Sequence, residues 1–256
     1  MRLAAVQHDI VWNDRDANFR RLAPMVAAAA AGGARMVLLT ETFSTGFAVD
    51  NPHLAEPEGG PSSQFLQEQA AQHGVWVCGS CPEIPADTDP HDHRPANSFV
   101  LAGPDGTVHR YHKIHPFTFG GEDAHFRAGS RLVQVTIDDV RVTPFVCYDL
   151  RFADEFWGLA TTTDLYLVPA NWPEPRRSHW MALLQARAIE NQAYVAGCNR
   201  VGEGGGLKYV GDSRIVDPLG ELLATGSQGE TILFADIEPA HVAAVRDRFR
   251  FLPDRR

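Results

Sequence analysis

The chain has 256 residues, 44% hydrophobic and 21% charged, a globular composition able to bury a core as one domain over residues 1–256. A formal net charge of −9, with no run of Lys and Arg interleaved with aromatics, argues against gripping phosphate backbones, so no nucleic-acid partner is expected. No stretch reaches the roughly eighteen consecutive apolar residues of a membrane span. The N-terminal MRLAAVQHD turns polar too soon for a signal peptide, which predicts a cytoplasmic protein without a membrane partner.

In chain order, short runs rich in Val, Leu and Ala alternate with segments of helical period, as expected when helices cover a sheet. The first half predicts a strand at 2–7, a helix at 15–31, a strand at 35–40, a helix at 62–73 and strands at 75–80, 97–102 and 107–112. Pro24 lies inside the first helix and, lacking a backbone donor, is expected to kink or interrupt it. The second half predicts strands at 140–146, 164–168, 193–199, 213–217, 220–224 and 231–236, with helices at 151–160, 178–191 and 239–247.

Each half therefore reads strand, helix, strand, helix, strand, hairpin. The Pro104-Asp105-Gly106 and Asp217-Pro218-Leu219-Gly220 segments supply turn chemistry at matching places. Two packed sheets related by a rough twofold follow, in an α/β fold. No Pro-rich or Ser-rich linker divides the halves, while the polar, Pro-rich stretch 85–95 reads as a mobile, solvent-facing loop.

Four cysteines, Cys78, Cys81, Cys147 and Cys198, are too few and too unevenly spaced for a disulfide framework, so reduced thiols are expected. Cys147 ends the apolar run RVTPFV and precedes YDLRFADEFWGLA, where a strand gives way to a helix. Amides at a helix N-terminus would stabilise a thiolate there and donate to an oxyanion, although a buried thiol at a strand edge would read the same way. Glu41 follows the strand RMVLLT, and a desolvated carboxylate at that position is a candidate base. Lys113, in YHKIHPF, follows the first hairpin; beside a thiolate its ammonium would stabilise both the nucleophile and a tetrahedral oxyanion.

The three segments LLTETFSTGF, YHKIHPF and FVCYDLRF resemble the active-site motifs of the nitrilase superfamily, the carbon-nitrogen hydrolases. The resemblance continues through AVQHDI, GGEDAHFRAG, LVPANWP, ARAIENQAYVAGCNRVG and IVDPLGE in the family's order, covering nearly the whole chain. It implies a four-layer αββα sandwich of two packed mixed sheets, assembled as a homodimer or larger homo-oligomer. It also implies Glu41 as general base, Lys113 as catalytic lysine, Cys147 as nucleophile and Glu122 as a second glutamate that orients the lysine or substrate. In that mechanism the backbone N–H of Tyr148 joins Lys113 at the oxyanion, and covalent catalysis by cysteine needs no metal or organic cofactor.

NWP at 171–173 together with ENQAYVAGCNRVG looks most like the omega-amidase branch, whose substrates are side-chain amides of 2-oxo acids such as 2-oxoglutaramate. A nitrile or carbamoyl substrate would use the same triad, and a non-catalytic binding protein on this fold is the remote alternative. A carboxylate-bearing amide needs a cation, for which Arg151, Arg176 and Arg177 are the candidates. Asn171, Trp172, Phe43, Phe47, Phe117 and Phe119 are candidates to line the pocket, whereas Arg187 and Glu190 are spaced to pair along a helix face. Cys78-Gly-Ser-Cys81 has redox spacing and, with His91 and His93, a conceivable zinc set. PEIPAD following it, with its two prolines, does not open a helix, so both readings are set aside. GEGGG at 202–206 lacks the Lys-Ser or Lys-Thr of a phosphate loop and is read as a flexible surface loop. No G-x-S-x-G elbow is present, which removes a Ser-His-Asp hydrolase.

Overall fold

A computed structural model of the chain describes residues 1–86 and 92–255. The first half forms β1 (Arg2–Gln7), α1 (Arg15–Ala31), β2 (Met36–Leu38), β3 (Glu56–Pro57), α2 (Pro61–His73), β4 (Trp76–Ile84), β5 (Ala96–Ala102), β6 (Val108–His112) and the single turn α3 (Glu122–His125). The second forms β7 (Val135–Ile137), β8 (Val140–Pro144), α4 (Ala153–Leu159), β9 (Leu165–Ala170), α5 (Arg177–Asn191) and β10 (Tyr194–Asn199). It continues with β11 (Val201–Gly204), β12 (Leu207–Val216), β13 (Leu222–Ser227), β14 (Thr231–Asp236) and α6 (Pro239–Arg248).

Local chemistry sets the helix ends. Asp14 accepts from Ala17 N at 2.9 Å to cap α1. Pro61 opens α2 where its missing N–H costs nothing, and Gly74, at φ 68°, closes it. The helix at 15–31 is not interrupted at Pro24, because its buried stripe of Leu22, Val26 and Ala29 holds both halves on the sheet.

The two sheets carry the same pattern of pairing. In one, β1, β2 and β4 run parallel and β5 and β6 follow antiparallel. In the other, β8, β9 and β10 run parallel and β12 and β13 follow antiparallel. An outer antiparallel strand flanks each, β14 beside β1 and β7 beside β8. The repeat expected from element order is thus present strand by strand.

Alternation along the strands builds the layers. Ala4 and Val6 of β1 point into the cluster under α1 and α2, whereas Leu3 and Ala5 point into the cluster shared with Tyr166, Val168 and Ala196 of the second sheet. α5 covers β10 and β12 from outside, with Trp180, Leu184 and Ala188 fully buried. Burying the Leu184 side chain alone contributes about 1.5–3 kcal/mol of transfer free energy. The result is the four-layer αββα sandwich of two mixed seven-stranded sheets.

Several expectations change. Residues 202–206 are not a loop: Val201–Gly204 is β11, paired with Leu207–Val210 of β12, and only Gly205 and Gly206 turn between them. The helix expected from 151 starts at Ala153, after a five-residue 3-10 turn over Cys147–Arg151. β3 and β11 were not anticipated, and β7 falls in the stretch 128–141, expected to hold strand and turn without bounds for either. Of the loop at 85–95, residues 87–91, including His91, lie outside the described residues.

Candidate active site

The ends of parallel strands converge at the seam of the sandwich. β2 leads to Glu41, β8 to Cys147 and β9 to Asn171, while Lys113 follows β6. This is where open α/β sheets generally place their ligands, outside the carboxyl ends of the strands.

Lys113 is 1% exposed, and its Nζ donates to Glu122 Oε2 at 2.7 Å and to Glu41 Oε1 at 3.0 Å. Asn97 on β5 donates through Nδ2 to Glu41 Oε1 at 2.9 Å and to Glu122 Oε1 at 3.0 Å. Its carbonyl also accepts Lys113 N at 3.0 Å. Glu122 Oε2 accepts Phe117 N at 2.6 Å, and Glu41 Oε2 accepts Asn171 N at 2.7 Å. An ammonium between two carboxylates, with amide donors on the remaining lone pairs, satisfies a set of charges that would be prohibitively costly to bury singly.

The electrostatics follow from that enclosure. Burial alone pushes the Lys113 pKa down, but the Glu122 and Glu41 charges overcome it and leave it above its ordinary value. Burial lifts the Glu122 carboxyl above the usual carboxylate range; Lys113 pulls it down and Glu41 pushes it up. Cys147 is held well above the ordinary thiol value by burial and by the Glu41 carboxylate, with Lys113 and the Asn171 N–H opposing them.

Cys147 sits at φ 47°, a left-handed conformation that costs about 1 kcal/mol or more for a side chain with Cβ. The strain is held by Asp149, whose Oδ2 accepts Val146 N at 2.9 Å, and by Arg187 of α5, which donates to Leu150 O at 2.8 and 3.1 Å. Arg187 also pairs with Glu190 at 2.6 Å, as their spacing suggested. Thr42, at φ 39°, turns the chain just after Glu41, and Asn171 Nδ2 ties that turn down through Glu41 O at 2.6 Å and Thr42 Oγ1 at 3.0 Å.

Glu41, Lys113 and Cys147 line one pocket with Phe47, Phe117, Tyr148, Arg151, Asn171, Trp172, Pro173, Arg176, Leu207 and Tyr209. Glu122 lies behind Lys113, fully buried. The Arg151 guanidinium lies over the Trp172 ring at 4.7 Å and that of Arg176 over Phe117 at 5.3 Å. Asn199 holds Trp172 in place, accepting its N–H at 2.7 Å and donating to its carbonyl at 2.9 Å.

Three candidates fall elsewhere. Phe43 is buried in the core against Phe19 and Phe65, because the turn at Thr42 ends the alternation that would have aimed it inward to the pocket. Phe119 is 86% exposed. Arg177 is engaged by Asp212, with two bonds of 2.9 Å. Cys78 and Cys81 belong to clusters on opposite faces of the first sheet, so they cannot form a dithiol; His93 is exposed and His91 lies outside the described residues. Asn97, Asp149 and Asn199 escaped the sequence reading. The available signal was a polar side chain inside or directly after an apolar strand.

A thiol beside a carboxylate and a fixed ammonium, at a strand end of a two-sheet α/β sandwich, is equipment for acyl transfer through sulfur. The chain belongs to the carbon-nitrogen hydrolase family, whose model matches residues 2–247. It is 38% identical over 254 residues to "Omega-amidase YafV" of Escherichia coli (strain K12), covering 97% of this chain and 94% of that protein. It is 31% identical to "2-oxoglutaramate amidase" of Bacillus subtilis (strain 168), covering 98% and 96%. Among solved structures, XC1258 from Xanthomonas campestris, a CN-hydrolase superfamily protein with an arsenic adduct in the active site, superposes with a TM-score of 0.92. That pair shares 34% identity, over 100% of this chain and 97% of that one. A mutant of the amidase from Nesterenkonia sp. AN1, showing Michael addition of acrylamide at the active site cysteine, gives a TM-score of 0.83 at 25% identity, over 97% of each chain. The protein is a hydrolase of carbon-nitrogen bonds other than peptide bonds, an amidase.

Proposed function

We propose that the protein is an omega-amidase, hydrolysing the terminal amide of a small carboxylate-bearing substrate such as 2-oxoglutaramate to the acid and ammonia. The observation that carries the reading is the composition of the pocket: Cys147, Glu41 and Lys113 at its base, and two guanidinium groups, Arg151 and Arg176, on its wall. Neither arginine has a carboxylate partner among the described ion pairs, which leaves both able to hold a substrate carboxylate.

In this reaction Glu41 accepts the Cys147 thiol proton as sulfur attacks the amide carbonyl. The raised thiol pKa makes that transfer part of the attack rather than a prior ionisation. Lys113, held protonated by its two carboxylates, meets the oxyanion together with the Tyr148 backbone N–H. Glu122 orients Lys113. Glu41 then returns the proton to the departing ammonia and activates water to cleave the thioester. Residues 1–256 act as one carbon-nitrogen hydrolase domain.

The protein is proposed to be cytoplasmic, in keeping with four free, buried thiols and with the finding that no helix among the described residues is long and apolar enough to cross a membrane. It is proposed to work as a homodimer or higher homo-oligomer, supported by exposed Ile189 on α5 and Leu219 in the turn packed beside it. Light scattering of the purified chain tests the assembly. Ammonia release from 2-oxoglutaramate, glutamine, asparagine, nitriles and carbamoyl amino acids tests the substrate. Preference for the 2-oxo acid amide is expected, and turnover confined to nitriles or carbamoyl compounds would replace the assignment.

A further inference from the structure

Asp149 is fully buried and accepts four hydrogen bonds from two segments that belong to different sheets. Its Oδ2 takes Val146 N at 2.9 Å, directly before the nucleophile, and Tyr111 OH at 2.8 Å, near the end of β6. Its Oδ1 takes His115 N at 2.9 Å and lies 3.1 Å from His115 Nδ1. Because a carboxylate only accepts, Nδ1 carries the proton in this pair. The His115 ring then stacks on Phe152 at 3.7 Å and 9°, at the far end of the Cys147 turn. Tyr111 and His115 bracket Lys113 by two residues on either side, and the Tyr111 hydroxyl also accepts Ile114 N at 3.3 Å.

We propose that Asp149 and His115 are positioning residues that clamp the Lys113 loop of the first sheet to the Cys147 turn of the second. The clamp fixes the distance between ammonium and sulfur. Two features argue for this beyond ordinary core packing. The Asp149 side chain is buried and its hydrogen bonds are spent entirely on donors next to the two reacting side chains, an arrangement costly to keep unless the geometry it imposes is used. The turn it holds carries Cys147 in a left-handed conformation that would relax if released. A misplacement near 1 Å at such a site costs on the order of 100-fold in rate.

The inference rests on the proposed roles of Cys147 and Lys113, and its test includes a readout that needs no substrate. The other three cysteines are fully buried and Cys147 is 9% exposed, so iodoacetamide reports on Cys147, with Cys147→Ala as the blank. Asp149→Asn, nearly the same size, is expected to lower kcat on the order of 100-fold with KM changed less than about threefold, and to slow alkylation in parallel. His115→Ala should lose on the order of tenfold in both, and His115→Asn, which keeps a donor near the place of Nδ1, should recover part of the loss. If Asp149→Asn does not fold, the two His115 variants decide. Wild-type kcat and alkylation rate in Asp149→Asn, or in His115→Ala, would overturn the clamp even if melting temperature falls. Failure of the wild-type enzyme on every amide would instead remove the functional reading, while the alkylation rates still test the clamp.

Discussion

Lys113 Nζ is closer to Glu122, at 2.7 Å, than to Glu41, at 3.0 Å. Glu122, which does not line the pocket, is therefore the nearer anchor of the ammonium, in keeping with the proposed exchange of a proton between Glu41 and sulfur. Glu122→Gln keeps the shape but removes the charge that helps hold Lys113 protonated. Turnover is expected to drop on the order of 100-fold with a smaller change in KM, measured by steady-state ammonia release. A variant with unaltered kcat would assign Glu122 to packing.

Glu41→Gln separates two effects that the wild-type enzyme combines. The Glu41 charge is one reason the Cys147 pKa is raised, so removing it moves thiol ionisation to lower pH. Alkylation of Cys147 by iodoacetamide should then begin at lower pH than in the wild type, while amide hydrolysis is lost with the base. An alkylation profile moved to higher pH would contradict the electrostatic account.

The two pocket arginines predict a charge-dependent KM. Arg151→Gln and Arg176→Gln should each raise KM for an anionic omega-amide about 10-fold to 100-fold, the loss of one charge-assisted hydrogen bond, and leave a short neutral amide such as butyramide nearly unaffected. Equal effects on both substrates would mean that the arginines support the wall through Trp172 and Phe117 rather than binding substrate.

Outside the site, His8 is fully buried and its pKa is lowered to about 4, mainly by burial, with its contact to the Val6 carbonyl opposing. A folded-state pKa below the unfolded value of 6.5 gives stability that is complete above about 6.5 and is lost as pH falls toward 4. The loss amounts to about 3 kcal/mol. Urea unfolding at pH 7.5 and 4.5 should show a smaller acid-induced decrease for His8→Leu than for the wild type. An identical decrease in the two proteins would mean that His8 does not contribute to the acid sensitivity.

Most of the fold could be read from apolar runs, because strands buried on both faces announce themselves by composition. The strands that escaped are short and defined by their partners: β3 by β4 and the glycine-containing β11 by β12. Motif order singled out Glu41, Lys113 and Cys147 as candidates, and all three line one pocket. Phe43 was misplaced because nothing in TETF reveals the left-handed turn at Thr42. Asn97 and Asp149 were missed because their importance lies in which segments they join, and those segments are 56 and 38 residues from their partners Glu41 and Tyr111.

Catalysis is proposed to run through a thioester on Cys147. Intact-mass spectrometry of enzyme quenched in acid during turnover of 2-oxoglutaramate would trap it. One acyl adduct is expected, mapped to Cys147 by peptide digestion, absent from Cys147→Ala, which should also release no ammonia. Undiminished ammonia release by Cys147→Ala, or an adduct mapped to another residue, would contradict it.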